Sequence, residues 1–176
     1  MRLRRDLVIH TLPHLASVLH RLVIITRCMR PQLGGKQSKL VSDTFPSWIT
    51  STQPIGVAES RALSRLLTAL TIKTVPRAHV HTVTISETQK AESLAKPFAK
   101  HAGYILITYI DALNDPLCLM SADMRRELQP GLFSLCEMLG EHNRDALVIS
   151  TLDSGGKAIM KMIWREYEKQ RYVGKG

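Results

Sequence analysis

Apolar residues recur along this chain at steps of three and four. Val8, Leu12, Leu15, Leu19 and Leu22 fall on one helical face, which predicts a helix from about Asp6 to Cys28, with Pro13 as a kink or a late start. Arg30-Pro31 and Gly34-Gly35 break the pattern. A second helix is expected over Lys36 to Phe45, using Leu40, Val41 and Phe45, with Pro46 as its stop and with Trp48 and Ile49 packing back onto the pair. A third is expected over Val57 to Leu70, with Leu63, Leu66, Leu67 and Leu70 inward. From Thr71 to Ser86 the helical period disappears. Val80 to Ile85 is largely β-branched, but no second strand exists to pair with it, so an extended or disordered loop is expected at 71–90.

Helix returns over Glu87 to Leu113, with Phe98, Ala102, Ile105, Tyr109 and Leu113 on its main face. Ile107 and Ile110 lie elsewhere on it, so it is apolar nearly all round and should be central. Asn114-Asp115-Pro116 ends it. The last third reads as helix, stop, helix, stop, helix. Leu128, Leu132, Leu135 and Leu139 form one stripe that Pro130-Gly131 interrupts, and Gly140 stands where a left-handed cap would sit. A short helix follows over Asn143 to Leu152. Asp153-Ser154 then caps a final one, on which Ile159, Met160, Ile163, Trp164 and Tyr167 share a face.

The pattern predicts an all-α protein of six to seven helices, either an α-solenoid-like fragment of HEAT or armadillo type or an irregular bundle. Its expected divisions are basic N-terminal helices over 1–70, the loop at 71–90, and a C-terminal helical module over 91–176. At 44% hydrophobic residues in 176, the chain can bury a real core.

Charge changes the picture. Residues 1–110 hold 15 Lys and Arg against 5 Asp and Glu, a net of +10, while residues 111–176 hold 9 against 10, a net of −1. A basic half suits a polyanion, and a solvated basic surface is the plain alternative. Cys28, Cys118 and Cys136 are odd in number and far apart, as expected of reduced thiols serving as small buried hydrophobes. His10, Pro13, His14, His20 and Arg21 interrupt the most apolar N-terminal run, so no membrane span is expected.

Catalytic and metal signals are weak. His10 and His14 share a helix face but have no marked co-ligands, and neither do His79 and His81. Gly34-Gly35-Lys36 and Gly155-Gly156-Lys157 lack the first glycine and the Ser or Thr of a phosphate-binding loop. At Gly155-Gly156, close helix approach is the simpler account. Asp111 and Asp115 read better as a helix stop than as a carboxylate pair. Cys136 lies among leucines, where a raised thiol pKa is expected. No enzyme, cofactor or small-molecule substrate is therefore expected. The strongest signal is a basic ridge on the last helix, Lys157, Lys161, Arg165 and Lys169, opposite much of the aromatic face and extended by Arg171 and Lys175. Contact with RNA or a partner, and a merely solvated face partly paired by Glu166 and Glu168, are both open readings.

The segment Arg125-Arg126-Glu127-Leu128-Gln129-Pro130-Gly131-Leu132-Phe133, then Asp153-Ser154-Gly155-Gly156-Lys157-Ala158, then Trp164-Arg165-Glu166-Tyr167-Glu168-Lys169 resembles the C-terminal domain of the nucleolar Urb/Npa pre-ribosomal proteins, the second "unhealthy ribosome biogenesis" family. Tyr104 to Leu113 is similar to the preceding helix of that domain. Lys157 stands where Arg is commoner, Met160 where Phe is commoner, and Tyr172 to Gly176 lacks a Gly-Lys-Trp ending. The likeness is specific from about Phe98 onward. It implies a non-enzymatic helical scaffold of early large-subunit precursors in the nucleus and nucleolus, with roles in pre-rRNA processing. The implied partners are pre-rRNA, a helical scaffold protein and a DEAD-box RNA helicase. It also implies that this chain is the carboxyl end of a longer protein. The competing reading is a stand-alone basic helical adaptor for RNA or DNA.

Overall fold

The computed structural model describes residues 5–49, 55–72 and 94–173, with side chains from residue 9 onward. In chain order its elements are α1 (Arg5–Ile24), β1 (Cys28–Met29), α2 (Gly35–Ser42), α3 (Val57–Thr71), α4 (Ala95–Asn114), β2 (Cys118–Leu119), α5 (Ala122–Ser150) and α6 (Ser154–Val173). Helices make up 78% of the described residues, so the protein is all-α.

α4 is the middle of the molecule. It packs against α1, α3, α5 and α6, and the pairing of α3 with α5 is the most extensive. The apolar period explains this arrangement. α1 buries Leu12, Ala16, Leu19 and Val23, while α4 buries Phe98, Ala102, Ile105, Leu106, Tyr109 and Ile110 around most of its circumference. Leu19, Leu67, Phe98, Ile105 and Leu135 belong to one continuous core, so the N-terminal and C-terminal helices share it. Val80 to Ile85, and all of the expected 71–90 loop apart from Thr71 and Ile72, lie outside the described residues.

Several local readings give way to tertiary packing. α5 runs through Pro130 without a break. The proline costs about 3 kcal/mol in a helix interior, and Leu128, Leu132 and Leu135, buried on either side of it, outweigh that cost. The true break in α5 is Gly140, at φ 70° and ψ 168°, a positive-φ corner with extended ψ and not the left-handed cap expected there. In α2, Val41 turns inward, and the adjacent Leu40 is therefore 63% exposed. Trp48 does not pack back and is 59% exposed, and Leu66 also faces out.

Two dipeptides that carry no strand pattern form an antiparallel pair, with Cys28 opposite Leu119 and Met29 opposite Cys118. Cys28 is exposed, unlike the buried Cys118 and Cys136. The pair is held beside Arg27, whose Nη1 makes an ion pair with Asp115 Oδ2 and whose Nη2 donates to Thr44 Oγ1 at 3.1 Å. Its guanidinium also lies 6.0 Å from the Phe45 ring centre. One side chain thus ties together the ends of α1, α2 and α4.

Candidate functional site

α6 starts where its sequence says it should. Asp153 Oδ1 accepts from the Gly156 backbone N–H at 2.7 Å, and the Asp153 carbonyl accepts from Lys157 N at 2.9 Å. Both carboxylate oxygens of Asp153 also accept from Asn114 Nδ2 at 3.1 Å, which fastens the start of α6 to the end of α4. A Cβ on Gly155 would meet Asn114 Oδ1 at 2.2 Å. The glycine pair therefore serves close approach, and Asp153 already fills the anion-attracting helix start.

The far side of α6 is anchored by aromatics. Trp164 is 5% exposed and packs edge-on against Tyr167 at 5.4 Å between ring centres, and Tyr167 leans on Phe133 at 6.0 Å. Leu128, Leu132, Leu135, Leu139, Ile163, Trp164 and Tyr167 are all buried, and Ile159 is partly so. Trp164 Nε1 donates to Glu168 Oε1 at 2.9 Å, so the indole N–H is satisfied at the protein edge.

The basic ridge lies beside Trp164 and not opposite it. At about 100° per residue, Trp164 falls within about 20° of Lys157, seven positions earlier. Lys157, Lys161 and Arg165, together with Arg144, Val148, Met160, Trp164 and the acids Asp145 and Glu168, line one groove of about 460 Å³ between the last segment of α5 and α6. The Arg144 guanidinium lies 4.7 Å above the Trp164 ring centre, a cation–π contact that holds it at the groove wall. Arg144 also pairs with Asp145 at 2.6 Å. Lys157, Lys161 and Arg165 are exposed and make no ion pair with a described residue.

The ridge does not hold together as one row. Steps of four drift about 40° each, so Lys169 points away from the groove, where it pairs with Glu166 at 2.8 Å. Arg171 is exposed near Tyr167, and Lys175 lies outside the described residues. Glu168, expected to offset the ridge, is engaged by Trp164 instead. Arg144 carried no signal of its own in the sequence. Only its place in a helix was legible, and the packing of that helix against α6 was not.

Other candidates do not gather into a reacting set. His10 and His14 are exposed, and among the described residues no three of His, Cys, Asp and Glu are grouped as metal ligands. His79 and His81 lie outside the described residues. Burial pushes the Cys136 thiol up to about 12, as its leucine surroundings predicted, and it pushes Cys118 up to about 11. Asp115 accepts from the Leu117 backbone N–H at 2.8 Å as well as pairing with Arg27, so it works as a helix stop and tie. No described helix is long and apolar enough to cross a membrane.

A family model described as the Urb2/Npa2 family matches residues 1–175. The match covers the basic N-terminal helices as well as the motif-bearing end. No curated protein and no solved structure matches the chain.

Proposed function

The chain belongs to the Urb2/Npa2 family, which gives it a role in ribosome biogenesis among pre-ribosomal components, in the nucleus or nucleolus, and from that premise we propose that it is a non-enzymatic helical scaffold that holds protein partners against pre-rRNA in early large-subunit particles. The observation that carries the RNA contact is the groove beside Trp164. Lys157, Lys161 and Arg165 line it without ion-pair partners among the described residues, Arg144 is fixed at its wall, and the acids that also line it, Asp145 and Glu168, are engaged by Arg144 and Trp164. Three unpaired cations along one helix flank suit successive phosphates, whose neutralisation releases condensed counterions. Such contacts position a strand and do not read its sequence.

The scaffold reading rests on the core. Trp164 and Tyr167 of α6 are committed to packing, while Tyr172 near its end is exposed, and this leaves the basic edge on a packed frame. In this reading the processing chemistry of the pre-rRNA belongs to partners. Those implied by the family resemblance are a second helical scaffold and a DEAD-box RNA helicase.

Ultraviolet crosslinking of the protein to pre-rRNA in early particles tests the reading. Crosslinked peptides should map to residues 144–168. Crosslinks confined to other parts of the chain would overturn it.

A further inference from the structure

The opposite flank of α6 carries a second groove, of about 330 Å³, between α6, the first segment of α5 and α4. Tyr109, Arg125, Gln129, Phe133, Met162 and Ile163 line it. Tyr109 is only 4% exposed, yet its hydroxyl makes no hydrogen bond with a described residue. The hydroxyl oxygen itself reaches the solvent of the groove and is not sealed in the core, so it can donate to an acceptor that enters there.

Arg125 stands at the same groove, exposed and without an ion pair among the described residues. Burial pushes the Tyr109 hydroxyl up to about 12, and the nearby Arg125 charge opposes that rise. The hydroxyl therefore stays protonated, a donor within reach of the Arg125 field. Met162, half exposed, supplies an adaptable apolar surface beside Ile163 and Phe133.

We propose that this groove receives an acidic, aliphatic segment of a protein partner, one carboxylate of which accepts from Arg125 and the Tyr109 hydroxyl while its aliphatic side chains lie on Phe133, Met162 and Ile163. Charge selects this occupant over RNA. Arg126, next to Arg125, already pairs with Asp123 at 3.2 Å, and Glu166 stands at the rim, so the groove offers one unpaired cation and suits one carboxylate better than a run of phosphates. Nor does it offer a base a platform, since Tyr109 and Phe133 are both buried. The inference gives chemistry to the protein-partner half of the proposed function and stands apart from the RNA half.

The test is fluorescence anisotropy on the full chain. The probes are a fluorescein-labelled peptide of Glu and Leu at helical spacing, its Lys-for-Glu counterpart, and an oligouridylate of similar length. The acidic peptide should bind and the basic one should not. Arg125→Ala should weaken binding about tenfold, and Tyr109→Phe, which keeps the ring and removes only the donor, about threefold. Met162→Lys should weaken it as well, with helicity unchanged by circular dichroism. Reversing Lys157, Lys161 and Arg165 to Glu should leave peptide binding unchanged, so the RNA reading can fail without this one. Three results would overturn the proposal: no binding of the acidic peptide, binding indifferent to Arg125→Ala and Tyr109→Phe, or oligouridylate binding that those two substitutions abolish.

Discussion

Across the crossing of α3 and α5, the Gly131 backbone N–H donates to the Ser64 hydroxyl at 2.9 Å. A Cβ at residue 131 would lie 2.9 Å from both the Cα and the carbonyl oxygen of Ser64, and 3.1 Å from Leu67 Cβ. Two of those neighbours are backbone atoms and cannot swing aside. The Pro-Gly pair of the family motif is therefore a contact surface for α3.

Gly131→Ala should destabilise the protein by about 1–3 kcal/mol through overpacking, despite the better helix propensity of alanine. Ser64→Ala should cost about 1 kcal/mol for the lost hydrogen bond. Urea unfolding of both variants checks the pair. A Gly131→Ala protein as stable as the wild type would mean that α3 and α5 are not so close.

Trp164→Ala should cost about 3–5 kcal/mol, since it empties a buried site against Tyr167. It also removes the surface that holds Arg144. Trp164→Phe should cost less and still lose the hydrogen bond to Glu168. Calorimetric melting of the two variants gives the order.

Alkaline pH should unfold the protein through its buried acids. Burial raises Cys136 and Tyr109 to about 12, above their unfolded values of about 9 and 10. The native state therefore keeps protons that the unfolded state releases. The stabilisation is complete below about pH 9 and is lost as pH rises towards about 12. Cys136 contributes a slope of about 1.4 kcal/mol per pH unit from about pH 9, and Tyr109 a similar slope from about pH 10. Urea unfolding at stepped pH should show the fall, and Cys136→Ala should make it shallower. A stability that stays flat from pH 9 to 11 would contradict the burial of both groups.

Local signals were legible and distant pairings were not. Asp153 read as a cap because a carboxylate before a helical run can accept from the first turn, and it does. Asn114-Asp115-Pro116 read as a stop for equally local reasons. Leu40 and Val41 were both placed in the core because a short helix of 8 residues does not say which of two adjacent apolar positions turns inward. Pro130 was read as an interruption because its cost is local, while the burial that outweighs it comes from other helices. Arg27 on Asp115, Cys28 opposite Leu119, and Arg144 over Trp164 all join elements that no sequence period relates. The ridge on α6 was legible as a spacing. Its division into three groove-lining cations and a paired Lys169 depended on where Glu166 and α5 came to rest.

Arg27→Ala should weaken the joint between α1, α2 and α4. It removes an ion pair whose side chains are only 12% and 22% exposed, and it leaves Asp115 partly buried without its cation. A loss of about 1–3 kcal/mol is expected, measured by urea unfolding. The loss should be smaller for Arg126→Ala, whose pair with Asp123 is solvent-exposed.

The RNA contact at the α5–α6 groove is tested most directly by salt. Binding of one single-stranded RNA is measured at several salt concentrations for the wild type, for the triple variant Lys157→Glu, Lys161→Glu and Arg165→Glu, and for Lys169→Glu alone. Each lost phosphate contact lowers the logarithmic salt slope by about 0.7, so the triple variant should lose about 2 and bind unrelated RNAs more weakly by similar factors. Lys169→Glu, which reverses a cation already paired with Glu166, should change the slope far less. Superimposable curves for the wild type and the triple variant would contradict the account.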